Sequence, residues 1–173
     1  MRKKIVITGG LGYIGTELCK LYSGVSWHHK ITVIDNRFIS ERVNQIRNWN
    51  MEFIQGDILD KELVEKHFAD ADVVHHLAGV TNVPRTKSEA SFEHDEKIKE
   101  VGEKGTQNIL DVITNKCKII FPSTHVVYEG LNEVKTNIKE NETTKPVLSY
   151  SLSKAVNEDQ LKKSGKNYII LRL

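Results

Sequence analysis

Tyr150 and Lys154 stand four residues apart, and on a helix that spacing sets both side chains on one face. A free phenol, with a pKa near ~10, is a poor base at neutral pH. An adjacent ammonium stabilises the phenolate and brings it toward working range, so the pair could move a proton. The bland alternative is an ordinary amphipathic helix with a packed tyrosine and a solvated lysine. A second constellation lies near the start of the chain. Gly9-Gly10-Leu11-Gly12-Tyr13-Ile14-Gly15 carries glycines at its first, fourth and seventh positions, directly after a β-branched run. Gly9 can make a tight turn, Gly12 lets the backbone approach a pyrophosphate, and Gly15 lets a helix lie close to a sheet. The helix N-terminus, with Tyr13 and Ile14 in its first turn, offers free N–H groups to phosphates. Asp35 follows Gly15 by 20 residues, where an acid can accept hydrogen bonds from adenosine ribose hydroxyls, and Asn36 adds to that end of the site. A carboxylate there repels a 2′-phosphate, which favours NAD over NADP, although Arg37 beside it could receive that phosphate.

These groups need a scaffold, and the chain alternates strand and helix signals from end to end. Strands are expected at Lys4–Thr8, Ile31–Ile34, Met51–Ile54, Asp72–Leu77, Lys118–Phe121 and Tyr168–Leu171. Helices are expected at Tyr13–Ser23 (with Ile14, Leu18 and Leu21 on its apolar face), Glu41–Trp49, Lys61–Phe68, between Ser88 and Asn115, and at Tyr150–Lys163. Parallel neighbours require crossovers, so six such strands predict an α/β Rossmann fold. Its doubly wound parallel sheet takes the order 3-2-1-4-5-6, with helices on both faces. Pro122 to Ser149 is long and polar, and a loop after strand five reads as a site wall.

Composition bounds the rest. A chain of 173 residues with net charge +2 fits one domain and gives no argument for nucleic acid or a membrane surface. No run approaches the roughly 18 apolar residues of a membrane span. Cys19 and Cys117 fit two reduced thiols in a cytoplasmic protein. His75 and His76 fall on opposite strand faces, and no cluster has zinc spacing, so no metal site is expected.

The Gly-x-x-Gly-x-x-Gly spacing resembles the extended branch of the short-chain dehydrogenase/reductase family, and further stretches match that branch in order. Gly56-Asp57-Ile58 resembles the segment after strand three, which implies Asp57 on the adenine amino group and Ile58 against the ring. His76-Leu77-Ala78-Gly79 resembles the segment that backs the cofactor. Gly105-Thr106-x-Asn108 resembles the middle of the long helix, and Phe121-Pro122-Ser123-Thr124-His125-Val126-Val127-Tyr128 the serine/threonine segment after strand five. Tyr150-Ser151-Leu152-Ser153-Lys154 supplies the Tyr-x-x-x-Lys pair, and Leu171-Arg172 the start of the strand-six signature.

The resemblance implies that Thr124, Tyr150 and Lys154 are catalytic, with Lys154 also on the nicotinamide ribose and Ser123 in the cofactor site. It implies an NAD-dependent nucleotide-sugar epimerase, resembling UDP-glucose 4-epimerase. Hydride transfer would pass through a keto sugar on a substrate that is UDP-linked. The similar 4,6-dehydratases carry an Asp-Glu pair after the threonine, where this chain has His125 and Val126; a 4-reductase or dehydratase stays an alternative. His125 could donate a proton or be structural. Two positions depart from the pattern: Gly102 stands where asparagine is usual, and Glu129 where glycine is usual. The resemblance covers an N-terminal portion only, residues 1–173 as the NAD-binding domain without the family's C-terminal substrate domain. Weak or no turnover is therefore expected of the chain alone, and a non-catalytic NAD-binding module or redox sensor is the competing reading. In the family the long helix and the Tyr-Lys helix often form a homodimer; the charge of Glu93 to Glu100 favours a solvated face at least as well.

Overall fold

The computed structural model describes residues 2–80 and 92–173. Strands β1 (Lys4–Thr8), β2 (Lys30–Asp35), β3 (Glu52–Gln55), β4 (Val73–His76), β5 (Lys118–Ser123) and β6 (Asn167–Arg172) form one sheet in the order β3-β2-β1-β4-β5-β6. Every neighbouring pair is parallel, so all six carboxyl ends share one edge. This is the doubly wound architecture expected.

Alternation along the strands divides the core. Ile5, Ile7, Ile31 and Val33 face α1 (Tyr13–Ser23) and α2 (Ser40–Asn48), where Cys19, Val43 and Ile46 are buried. Val6, Ile34, Val74, Ile119 and Phe121 face α3 (Lys61–Phe68), α5 (Gly105–Val112) and α6 (Ser149–Lys163), against Val64, Phe68, Ile109 and Leu161. Each such side chain contributes about 1.5–3 kcal/mol on burial. Asp60 accepts from the N–H groups of Glu62 and Leu63 at 3.0 and 3.1 Å, which fixes the start of α3.

Three expectations are corrected. The apolar face assigned to α1 is displaced: Ile14 and Leu21 are 49% and 78% exposed, while Gly15 and Cys19 turn inward. Strand β5 runs on through Ser123, because β6 pairs with it as far as Arg172. Pro122 is tolerated because β4 pairs with β5 only up to Ile120. The long helix is not continuous. It runs as α4 (Phe92–Lys99), a π-helical turn (Glu100–Lys104) and then α5; Ser88, its expected start, lies outside the described residues. The π turn leaves carbonyls for the neighbouring helix: Asn157 Nδ2 donates to Gly102 O at 3.0 Å and Gln160 Nε2 to Glu103 O at 3.0 Å. A Cβ on Gly102 would lie 2.3 Å from Ser153 Oγ, so the missing side chain lets α6 pack against the turn.

Cys19 and Cys117 are both buried and unpaired, and burial pushes their thiols up to about 12 and about 11. Among the described residues no helix is long and apolar enough to cross a membrane, and no group of three or more His, Cys, Asp or Glu could hold a metal ion.

Candidate active site

The glycine turn joins β1 to α1 at the carboxyl edge of the sheet. Gly9 sits at φ +64°, and a Cβ there would lie 2.8 Å from Ala78 N and Leu77 C. Only glycine permits both that backbone conformation and the close approach of the segment after β4. A Cβ on Gly15 would lie 2.4 Å from Gly9 O, so this glycine packs the helix onto the turn itself rather than onto the sheet. Gly12 is the N-cap of α1. No side chain caps that end and no acid lies in its first turn, so its N–H groups and partial positive charge are left for an anion.

Asp35, buried at the end of β2, braces this turn. Its Oδ2 accepts from Leu11 N at 2.9 Å and its Oδ1 from Arg37 N at 3.0 Å and Arg37 Nε at 3.2 Å. Arg42 on α2 donates to the carbonyl of the same Leu11, so both backbone polar groups of that residue are held. Beside it, Asn36 Nδ2 donates to Asp57 Oδ2 at 3.0 Å, while Asp57 Oδ1 accepts from Leu59 N. The carboxyl ends of β2 and β3 thus present two acids and an amide together. Ile58 does not join them. It is 3% exposed, and Gly105 of α5 rests on it so closely that a Cβ would lie 2.3 Å from Ile58 Cδ1. The side chain of Ile58, expected against an adenine ring, packs into the core here.

Behind the turn, Thr8 Oγ1 accepts from Ala78 N at 3.0 Å and bonds His76 Nδ1 at 3.0 Å, and His76 Nε2 reaches Thr106 Oγ1 at 2.9 Å. Burial, helped by the charge of Lys154, lowers His76 to about 3. A neutral imidazole therefore ties the ends of β1 and β4 to α5. His75 points the other way, to Tyr22 Oη at 2.8 Å. Leu77 packs against the α1 side of the core, and Gly79 has open space where a Cβ would stand.

At the end of β5 successive side chains diverge. Thr124 is nearly buried and caps a short 3₁₀ helix (His125–Tyr128), its Oγ1 accepting from Val126 N. Ser123 points away and donates to Glu158 Oε1 at 2.7 Å. Strand alternation directs its hydroxyl, expected in the cofactor site, to α6. Glu158 is clamped by Arg172, whose Nε and Nη2 donate at 2.8 and 2.6 Å. Arg172 Nη1 donates to Tyr128 Oη and to Glu140 O. His125 Nδ1 lies 2.8 Å from Leu173 O, a tether between the ends of β5 and β6. A cleft of about 450 Å³ opens beside this turn, lined by residues including Val126, Tyr128, Ile138 and Arg172.

Helix α6 places Tyr150 and Lys154 against this strand end. Lys154 Nζ donates to Pro122 O at 2.9 Å, lies 4.4 Å from the Phe121 ring centroid and 5.8 Å from that of Tyr150. Burial lowers Lys154 to about 8 and raises Tyr150 above its ordinary value. Desolvation thus opposes the depression of the phenol expected from the lysine. The ammonium is directed to a carbonyl and an aromatic face, and desolvation of the phenol dominates.

Nothing in the sequence marks Arg42 or Glu158 as parts of a site; His76 and Thr106 fall in matched motifs without their shared hydrogen-bond chain, and Glu129 is marked only as a departure from the pattern. Arg172 falls in the strand-six signature, but without this clamp. A family model, the NAD dependent epimerase/dehydratase family, matches residues 5–173. The chain is 32% identical to the dTDP-D-glucose 4,6-dehydratase of Dictyostelium discoideum over 96% of its own length and 41% of that protein. It is 30% identical to the UDP-glucose 4-epimerase of Neisseria meningitidis serogroup C, over 90% and 46% of the two chains. Among solved structures it is similar to the UDP-glucose 4-epimerase from Brucella ovis in complex with NAD, with TM-score 0.77 and 28% identity over 98% of this chain and 51% of that one. The chain spans about half the length of these relatives.

Proposed function

Because the chain belongs to the NAD-dependent epimerase/dehydratase family, we propose that it holds NAD at the glycine turn and contributes Thr124, Tyr150 and Lys154 to nucleotide-sugar epimerisation. The observation that carries the reading is one shared edge: the uncapped N-terminus of α1, the Asp35 brace, Thr124 and the Tyr150–Lys154 pair all lie at the carboxyl ends of parallel strands. The cradle fits a dinucleotide. Gly9 has a conformation that a side chain would strain, and free N–H groups face where a diphosphate would lie. Asp35, Asn36 and Asp57 would meet the adenosine end, and Ala78 and Gly79 the middle of the cofactor.

When bound, NAD supplies a hydride acceptor and donor. The protein's own groups handle the proton. Thr124 Oγ1 already accepts a backbone hydrogen bond, which leaves its O–H free to donate to a sugar oxygen. Tyr150 takes the proton of the sugar hydroxyl as a phenolate while the hydride leaves, and returns it to the keto oxygen when the hydride comes back; burial raises it above its ordinary value, so the neutral phenol predominates at rest. Lys154, still cationic below pH 8, offsets the negative charge left on the phenol. His125 and Val126 supply no carboxylate pair beside Thr124, and Glu129 and Glu158 are committed to α6 and Arg172. This supports epimerisation over elimination of water. The substrate class is a nucleotide sugar, UDP-linked in this reading.

Incubating the NAD-loaded protein with UDP-glucose tests this through the absorbance of reduced nicotinamide. The parent is expected to reduce its cofactor slowly, and Tyr150→Phe to bind NAD but not reduce it. Reduction by Tyr150→Phe at the parent's rate would overturn the mechanism; NAD binding without reduction in the parent would leave a non-catalytic module.

A further inference from the structure

We propose that Glu129 is a positioning residue for Tyr150, clasping the start of α6 from a different element and setting the phenol relative to Thr124. The inference rests on the reading of Tyr150 and Thr124 given above. One carboxylate oxygen, Glu129 Oε1, accepts from Val147 N at 2.8 Å, from Leu148 N at 2.7 Å and from Ser151 Oγ. These three donors flank Tyr150 in the chain. The helix has no cap of its own, since Leu148 occupies the N-cap and offers no polar side chain. Glu129 instead holds the two backbone N–H groups that lead into the helix, and a carboxylate at a helix N-terminus is further favoured by the helix dipole.

The other end of the clasp is equally fixed. Glu129 closes the 3₁₀ helix that Thr124 begins, its N–H donating to Val126 O at 3.1 Å. The same turn is pinned across the loop by Lys145 N on Val127 O and Gly130 N on Lys145 O, both at 2.8 Å. The six residues from Thr124 to Glu129 thus connect the hydroxyl of Thr124 to the helix end that carries the phenol. Burial works against the Glu129 charge, yet the hydrogen bonds from Leu148, Ser151 and Val147 hold its carboxyl below the ordinary range. The clasp is charged at neutral pH.

The test labels the tyrosine ring carbon next to the hydroxyl with ¹³C in the 173-residue chain, assigning Tyr150 among the five tyrosines with Tyr150→Phe. Glu129→Ala is expected to move the Tyr150 signal and abolish its response to added NAD. The same change should speed amide exchange at Val147 and Leu148 by about tenfold, with NAD affinity held within about threefold. Glu129→Gln, which keeps an acceptor oxygen, should restore part of the signal. Should Glu129→Ala fail to fold, Ser151→Ala replaces it and is expected to shift Tyr150 in the same sense. A Glu129→Ala protein with the parent's Tyr150 signal and amide exchange overturns the clasp; so does a shift shared equally by Tyr13, Tyr22, Tyr128 and Tyr168. A parent whose Tyr150 ignores NAD overturns the cofactor reading instead, and amide exchange still decides the clasp.

Discussion

Replacing Glu158 by glutamine removes one charge while preserving shape, at a point where the structure sets the size of the effect. The carboxylate is 2% exposed and accepts from Arg172, Ser123 and Lys162. Burial pushes its pKa up, but these hydrogen bonds prevail and hold it at about 2, against an ordinary 4.5. The depression corresponds to about 3 kcal/mol in favour of the folded state. Its sign is that of a depressed acid: the contribution is complete above pH 4.5 and disappears as pH falls toward 2. Glu158→Gln also leaves the Arg172 guanidinium, 15% exposed, without its counter-charge, and breaking one side of a buried pair costs about 3–5 kcal/mol. We expect a loss of about 3–4 kcal/mol at pH 7 and a fall in Tm of about 6–15 °C for a chain of this size. Urea unfolding followed by the fluorescence of the two tryptophans, run on parent and variant at pH 7 and near pH 3, measures the gap. It should be wide at neutral pH and narrower in acid. A variant within about 1 kcal/mol of the parent at pH 7, or a gap indifferent to pH, refutes the assignment of that stability to the clamped carboxylate.

Gly9→Ala forces a side chain into a left-handed backbone at φ +64° and against Ala78 N, a strain of about 1–2 kcal/mol before any contact is counted. Calorimetric titration should show NAD affinity reduced by at least about tenfold; unchanged affinity would remove the turn from the site. Asp60→Ala strips the cap from α3 and should cost about 1 kcal/mol in urea unfolding with NAD binding unaltered. Lys154 is depressed by burial from 10.5 to about 8, so between those values the unfolded chain binds more protons. The parent should therefore gain stability relative to Lys154→Met as pH rises from 8 to 10.5, read as a shift in urea midpoint; a constant difference would contradict the burial of the ammonium.

The sheet was legible because β-branched runs end at glycines and acids, and because a parallel topology leaves little freedom in strand order. The turn from Gly9 to Gly15 was legible for the same local reason. The buried face of α1 was not. Gly15 and Cys19 are small and scarcely register in an apolar count, whereas Ile14 and Leu21 register strongly and face outward. Ile58 and Ser123 show a different limit: a matched motif names a residue without saying what its side chain packs against. Ser123, facing Glu158, and Thr124, capping the next turn, are consecutive in the chain. The braces were invisible because their partners are remote in the chain: Arg42 to Leu11, His76 to Thr106, Glu129 to Leu148. No local pattern encodes a hydrogen bond across such separations.

The π turn at Glu100–Lys104 has a consequence for how this stretch of sequence tolerates change. An α-helix advances about 100° per residue, so an extra residue in one turn rotates everything upstream by about that angle relative to everything downstream. Side chains before Glu100 and after Lys104 therefore follow two separate phases of inward and outward positions, with Ile98 buried in the first and Thr106, Ile109 and Leu110 in the second. A deletion of one residue inside the turn would merge the phases, swinging either Ile98 into water or Thr106 away from His76. Substitution tolerance along this stretch should accordingly break step at Gly102 instead of repeating evenly from end to end.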